Sequence, residues 1–174
     1  SLNTLYVSVV STLLSLFAGI LAGYALARLR FPGGGFLGIA VFISILVPPT
    51  LLFIPLADVV RNFRLLDKPL SLILTYPTFL IPFCTWLLMS YFKTIPRELE
   101  ECARIDGATR IQALVKIIIP LATPGILSAG IFAFTLSWNE FIYALVFISS
   151  ATQKTIPVGV LADLTAGDAY YWGS

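Results

Sequence analysis

Long, almost uncharged runs of apolar residues occupy most of the chain. Four of them, named spans A to D, cover about Leu5–Ala27, Phe36–Leu56, Leu70–Phe92 and Gly125–Ile148. Each contains at least ~20 residues, which at a helical rise of about 1.5 Å per residue matches a hydrocarbon core about 30 Å thick. Helices buried in a soluble protein are the alternative. Four runs of this length in 174 residues favour four membrane-spanning helices.

The composition also indicates that lipid is the solvent. The chain is 58% hydrophobic and 11% charged, whereas average proteins are about 45–50% apolar and about 25% charged. A net charge of +2 without a dense basic run gives no indication of nucleic-acid binding. The absence of histidine and the presence of only two cysteines exclude His-dependent triads, His-based zinc sites and a disulfide framework. We therefore expect no cofactor and no metal.

Lys and Arg residues are unevenly divided between the joins that connect the spans. One side holds seven: Arg28, Arg30, Lys93, Arg97, Arg104, Arg110 and Lys116. The other side holds four: Arg61, Arg64, Lys68 and Lys154. Because cytoplasmic loops carry the excess of basic residues, the first side is predicted to be cytoplasmic. Four spans then place both ends of the chain outside.

Small residues and prolines mark positions within the spans. Gly19 and Gly23 form a GxxxG pattern, which predicts close packing of helix backbones. Four prolines interrupt two spans: Pro48 and Pro49 in span B, and Pro77 and Pro82 in span C. Each is expected to kink its helix. Two interpretations are open. The kinks are structurally tolerated, as is common in membrane helices, or they belong to bent helices that line a pathway.

The join between spans C and D is long, charged and helical in pattern. Pro96 suits the first position of a helix, and acidic residues at 98, 100 and 101 follow near its positive dipole end. Gly107 is placed to end this helix with a positive φ. Thr109 and Gln112 match a capping box that starts a second helix. Residues 94–120 are therefore predicted to form a helix–turn–helix at the cytoplasmic surface.

The second predicted helix is amphipathic and short. Its apolar face comprises Ile111, Leu114, Val115 and Ile118, and Pro120 is expected to end it. A unit with its own caps is suited to dock against a cytoplasmic partner. The alternative is an amphipathic helix resting on lipid.

The same join resembles the EAA loop of permease subunits in bacterial ATP-binding-cassette importers. Its pattern is Glu-Ala-Ala, three residues, Gly, nine residues and Ile-x-Leu-Pro. This chain has Glu101-Cys102-Ala103, Gly107 and Ile117-Ile118-Ile119-Pro120 at the same spacing, with Cys102 and Ile119 as its two departures. Four further runs resemble the carbohydrate branch of these importers: residues 24–31, 103–108, 138–141 and 155–159.

This resemblance implies the fold and the partners. It implies an all-α polytopic protein of the bacterial cytoplasmic (inner) membrane, with spans two to five of an expected six plus the cytoplasmic helix–turn–helix. Residues 1–174 would form one truncated permease domain, 94–120 its coupling segment and 149–174 an extracytoplasmic loop. The implied partners are ATPase subunits, a second permease subunit and an extracytoplasmic solute-binding protein. The ATPase-docking residues would be Glu101, Cys102, Ala103, Asp106, Gly107 and Ala108.

The predicted function is import of a sugar or sugar-derived solute by alternating access. The chain is not expected to be an enzyme, because it has no GxxxxGK[ST] phosphate loop. ATP hydrolysis is therefore assigned to a separate subunit.

Span D contains a polar interruption, Trp138-Asn139-Glu140. An acidic residue at the centre of a spanning helix costs about 2.5–3.5 kcal/mol on insertion scales. Three interpretations are open: these residues line the solute pathway, they form hydrogen bonds between helices, or Glu140 lies near the outer end and is half solvated. The alternative function, an ion-coupled secondary transporter or channel, would use Glu140 as its proton or cation site.

Overall fold

A computed structural model describes residues 2–64 and 68–140, and all regular structure in these ranges is helical. The α-helices there are α1 (Leu2–Arg28), α2 (Gly34–Leu46), α3 (Pro49–Asn62), α4 (Pro69–Thr75), α5 (Pro77–Thr94), α6 (Arg97–Ile105), α7 (Arg110–Ala113) and α8 (Ile119–Asn139). A π-helical turn, Leu114–Ile118, joins α7 to α8.

Three helical rods in this part of the chain are long and apolar enough to cross a membrane: Leu5–Arg28, Leu70–Thr94 and Arg110–Asn139. The first two confirm spans A and C. The third begins earlier than span D, and its helix ends at Asn139. The remainder of span D and the predicted loop 149–174 lie outside the described residues.

Close backbone contacts hold α1, α5 and α8 together. A Cβ atom added at Gly19 would lie 2.7 Å from the Cβ of Cys84, and one added at Gly23 would lie 3.0 Å from the backbone nitrogen of Met89. Only glycine allows α1 to approach α5 this closely, so the packing role predicted for the GxxxG pattern is confirmed. Gly125 of α8 packs in the same manner against the ring of Tyr91.

The prediction that span B is one helix kinked at Pro48 and Pro49 is wrong, because two separate helices of 13 and 14 residues cover it. Val47 and Pro48 both have extended backbones, with ψ angles of 118° and 133°. Each precedes a proline, and a residue in that position is driven away from the helical region. Pro49 then starts α3. That the α2–α3 pair crosses the membrane stays a prediction.

The prolines of span C interrupt the helical backbone less than those of span B. Tyr76 joins α4 to α5 with helical φ and ψ, and its N–H donates to the carbonyl of Leu72 at 2.8 Å. Pro77 occupies the first turn of α5, where no N–H donor is needed, and Pro82 lies inside the helix.

The second half of the predicted helix–turn–helix is not a separate short helix. α7, the π-helical turn and α8 follow one another directly, so Pro120 does not end the helix as predicted. In α-helical geometry the Pro120 ring would clash with the carbonyl four residues earlier. The wider π-helical turn immediately before Pro120 relieves this conflict. Pro96 also differs slightly, since it is the N-cap of α6 rather than its first residue.

The single apolar face predicted for this helix is divided in two. Leu114 and Ile118 are buried, whereas Ile111 and Val115 are 74% and 55% exposed. Residues at i and i+4 form one row on a helix, so the bundle covers one row and leaves the adjacent row open.

Two apolar clusters lie at opposite ends of the bundle. One packs Val7 and Val60 against Leu72 and Tyr76. The other gathers Tyr24 and Ala27 of α1 with Phe92, Ile95, Leu114 and Ile118. The second cluster lies directly beneath α6. It therefore packs the end of the bundle at which the resemblance places the docking segment.

Candidate functional site

A buried polar cluster attaches α6 to the rest of the bundle. Glu100 is only 7% exposed, and the Tyr24 hydroxyl donates a hydrogen bond to its Oε1 at 2.5 Å. The Nε of Arg28 lies 3.9 Å from the Oε2 of Glu100. Tyr24 and Arg28 are four residues apart, so they project from the same face of α1. These three residues are called the Glu100 junction.

The Glu100 junction also includes the end of α5. The Nη2 of Arg28 donates to the carbonyl oxygens of Phe92 at 2.9 Å and Ile95 at 2.7 Å. It thereby satisfies the Ile95 carbonyl, which the end of α5 leaves open, and adds a second donor to the Phe92 carbonyl, which also accepts from the Ile95 N–H at 3.3 Å. Arg97 of α6 donates in return to the carbonyl of Ala27 at 3.3 Å. Three helices therefore meet through charge-assisted hydrogen bonds at one buried point.

The Glu100 junction was not predicted from the sequence. There Glu100 is only one of several acidic residues near a helix start. The available signal was the pairing of a tyrosine and an arginine on one face at the end of an apolar helix, because a buried arginine requires an anionic partner.

The predicted docking residues lie together on α6 and the turn that follows. Glu101, Cys102, Asp106 and Gly107 are exposed, and the two alanines are half-buried. Gly107 has a φ of 92°, as predicted. Its N–H donates to the carbonyl of Arg104, and the N–H of Ala108 donates to the carbonyl of Ala103. This is a Schellman motif, in which Ala103 and Ala108 occupy the C3 and C″ positions.

The predicted capping box at the next helix is confirmed. The backbone N–H of Gln112 donates to the Oγ1 of Thr109 at 3.2 Å, and the N–H of Thr109 donates to the Oε1 of Gln112 at 2.9 Å. The turn between α6 and α7 is thus fixed on both sides, which holds the docking residues in a defined orientation.

Large apolar side chains surround this turn without cover from the described residues. Leu99 is 42% exposed, Ile105 84%, Ile111 74% and Val115 55%. Exposed apolar side chains grouped around charged ones are typical of a protein–protein or lipid interface. The segment is therefore suited to contact a further surface.

A strongly basic cavity of about 270 Å³ lies beside the Glu100 junction, between α6 and the residues at the end of α1. It is lined by five arginines and two glutamates: Arg28, Arg30, Arg97, Arg104, Arg110, Glu100 and Glu101. Within residues 2–64 and 68–140 the only ion pair is that of Arg28 with Glu100. The potential in this cavity is consequently positive, and Glu101 lies at its border.

The three predicted pathway residues have different surroundings at the end of α8, and their role in a solute pathway stays a prediction. The ring of Trp138 packs against Phe134 with centroids 5.5 Å apart. Asn139 is exposed, and its Nδ2 donates to the carbonyl of Thr135 at 2.9 Å within its own helix. Glu140 lies beyond the helix end, in extended conformation. The prediction that Glu140 lies inside a helix is therefore wrong.

Glu140 instead faces the break between α2 and α3. It borders a cavity of about 160 Å³ together with Val47 and Pro49 of the break and Phe79 and Phe83 of α5. Tyr76 donates to its backbone carbonyl at 3.5 Å. α8 has 21 residues, so Glu140 lies about 31 Å along it from Ile119. Among the described side chains, no group of three His, Cys, Asp or Glu could hold a metal ion.

Residues 15–169 match the family described as binding-protein-dependent transport system inner membrane component. The chain is 39% identical over 171 residues to the inner membrane ABC transporter permease protein YcjP of Escherichia coli strain K12, covering 98% of this chain and 61% of that protein. It is 41% identical over 158 residues to the sulfoquinovosyl glycerol transport system permease protein SmoH of Agrobacterium fabrum strain C58, covering 91% and 55%.

The fold is similar to a chain in the crystal structure of a bacterial ABC transporter involved in the import of the acidic polysaccharide alginate. The TM-score is 0.79 at 26% sequence identity, and the match covers 97% of this chain and 59% of that one. The chain thus spans somewhat more than half the length of the proteins it matches.

Proposed function

Because the chain belongs to the family of inner membrane components of binding-protein-dependent transport systems, we propose that it is part of the permease of an ATP-driven importer for a sugar or sugar-derived solute. The family match over residues 15–169 is the observation that carries this proposal. The sugar class is supported by the names of two matched proteins, which concern sulfoquinovosyl glycerol and alginate. The chain itself is a multi-pass protein of the inner membrane.

In this proposal the ATPase subunit docks on α6 and the turn at Gly107. Glu101 and Asp106 supply exposed charge, and Ile105 supplies exposed apolar area. The basic cavity beside Glu101 adds a requirement on the ATPase surface that the resemblance to the EAA loop does not supply. The facing ATPase surface should present a basic group to Glu101 and acidic groups to Arg104 and Arg110.

Two structural connections would carry motion from α6 into the membrane. The Glu100 junction ties α6 to the ends of α1 and α5. The continuous rod Arg110–Asn139 has 30 residues, or a length of about 45 Å, and reaches from the turn to the cavity at Glu140. A displacement of α6 as a rigid lever would therefore move both ends of the bundle, as alternating access requires.

The proposed solute pathway passes the α2–α3 break rather than Trp138 and Asn139. A broken helix leaves backbone carbonyls without helical partners, and such groups occur at membrane depth where they line a cavity. Glu140 borders this cavity and offers an acceptor to sugar hydroxyls. A second permease subunit and an extracytoplasmic solute-binding protein would complete the assembly.

The experiment is an ATPase assay on the full-length permease copurified with its ATPase, its second permease subunit and its solute-binding protein in lipid nanodiscs. A panel of neutral and acidic sugars is added in turn. Stimulation of hydrolysis by one sugar, only in the presence of the binding protein, is the expected result. Sugar-independent hydrolysis across the panel, together with uptake that follows an ion gradient, would favour the ion-coupled alternative.

A further inference from the structure

A cavity of about 680 Å³ lies between the end of α1, the helix α2 and the second half of α5. Its volume falls in the range of pockets that hold small organic ligands. Most of its wall is apolar, formed by Leu26, Ile39, Phe42, Trp86 and Met89. It is called the α2 cavity. The proposed transport function uses none of these residues.

Glycines on α2 create the space. A Cβ atom added at Gly35 would meet nothing within 4 Å, and one added at Gly38 would meet only the Sδ of Met89 at 4.0 Å. These glycines therefore do not serve close helix packing, in contrast to Gly19 and Gly23. No residue of α2 is buried, although α2 contacts α5 through the rings of Phe42 and Trp86, whose centroids lie 6.1 Å apart. The cavity opens beside this contact.

The α2 cavity is charged at one end only. Arg30 and Lys93 line it there, and its lining includes no carboxylate. Lys93 lies in the last turn of α5, and Arg30 follows the end of α1 by two residues. Trp86 lies seven residues before Lys93, a distance of about 10 Å along α5. The cations are therefore placed at the membrane boundary, and the apolar walls extend from them toward the hydrocarbon core.

We infer that the α2 cavity binds an anionic phospholipid from the surrounding bilayer. Its phosphate is held between Arg30 and Lys93, and the first part of an acyl chain lies against Phe42 and Trp86. Basic pockets between membrane helices are suited to anionic lipid head groups, and Arg binds phosphate through two parallel donors. The apolar depth of the cavity favours a lipid over a free phosphate ion. This inference depends neither on the solute nor on ATP.

The test uses native mass spectrometry on the full-length permease in its purified complex. The complex is titrated with phosphatidylglycerol and, in a separate arm, with phosphatidylcholine. We expect tight retention of phosphatidylglycerol only, and an affinity about fivefold lower in Lys93→Gln, from the contribution of one cation near an anionic head group. Lys116→Gln removes a cation at the same end of the bundle but outside the cavity, and should retain the lipid like the wild type.

A second pair of variants tests the cavity itself. Gly38→Leu fills the space and should abolish phosphatidylglycerol retention, whereas Gly38→Ala removes the glycine without filling it and should preserve retention. Both substitutions favour the helix, so α2 is expected to form in each. Equal retention of the two lipids, or unchanged retention in Lys93→Gln and Gly38→Leu, would overturn the inference. Displacement of the lipid by millimolar inorganic phosphate would reassign the cavity to a soluble anion.

Discussion

Glu100 and Glu101 are adjacent in α6, yet their surroundings are opposite. Glu100 is enclosed by Tyr24 and Arg28, whereas Glu101 is exposed at the border of the basic cavity. At the scale of single residues, the first belongs to the internal connection of α6 and the second to its outer surface. Substitutions at the two positions should therefore have separable effects.

Glu100→Gln should destabilise the protein, because the buried Arg28 loses its anionic partner. Removing one partner of a buried ion pair costs about 3–5 kcal/mol. Glu101→Gln, which is exposed, should change stability by less than about 0.5 kcal/mol. The thermal unfolding midpoint of each purified variant in nanodiscs is the measurement. Equal midpoints for the two would contradict the role assigned to the Glu100 junction.

Glu101→Lys should uncouple ATP hydrolysis from transport while leaving the fold intact, because it reverses the charge on the proposed docking surface. Glu98→Lys is the matched control, since Glu98 is also exposed on α6 but does not line the basic cavity. The ratio of sugar transported to ATP hydrolysed is compared in proteoliposomes. A normal ratio in Glu101→Lys, with normal assembly, would refute docking through this residue.

The sequence revealed Glu101 and Gly107 but not Glu100. A local spacing defines the first two, whereas the burial of Glu100 follows from where α1 and α5 end in space. For the same reason Glu140 was placed inside a helix, although the break at Pro48, on another part of the chain, provides its surroundings.

At the scale of elements, the turn between α6 and α7 is the part that local sequence determines most completely. Gly107, the Schellman hydrogen bonds and the capping box all follow from residues within one short segment. The continuation of α7 into α8 was not predictable in this way. Pro120 ordinarily ends a helix, whereas here a π-helical turn precedes it and the rod continues.

Gly107→Val should impair coupling, because its φ of 92° is a strained backbone region for a branched residue, at a cost of about 1–3 kcal/mol. Gly33→Val is the matched control. Gly33 has a φ of 89°, and a Cβ at either glycine would meet nothing within 4 Å. Both variants thus carry similar strain, but only Gly107 lies on the docking surface. Copurification with the ATPase should fall in Gly107→Val alone, and equal loss in both would point to general misfolding.

At the scale of the whole molecule, basic residues separate toward the two ends of the bundle. The α1–α5–α6 end holds the arginines of the basic cavity, and Arg61 follows Val60, which packs near Val7 at the opposite end. The long helices were readable from the sequence, because apolar length is a local property, whereas the orientation that Lys/Arg counts indicate stays a prediction. The division of span B into α2 and α3 could not be predicted from the sequence, since a proline pair permits either a kink or a break.

Single cysteines at positions 61 and 110, in a background with Cys102 replaced by Ala, test the orientation. Both positions are exposed, while Cys84 is buried and should stay unreactive. In intact cells, a membrane-impermeant maleimide should label position 61 and label position 110 only after permeabilisation. The reverse pattern would invert the predicted topology.

The central claim, ATP-driven sugar import, is tested most directly by uptake into proteoliposomes that hold the complete full-length complex. Radiolabelled sugar and the solute-binding protein are added on the extracytoplasmic face of the permease. ATP is supplied on the opposite face, which carries the ATPase. Proton and sodium ionophores collapse the proton and sodium gradients. The account predicts uptake that requires ATP and is unaffected by the ionophores, with substantial activity retained in Glu140→Gln. Uptake that proceeds without ATP, stops with the ionophores and is lost in Glu140→Gln would contradict it.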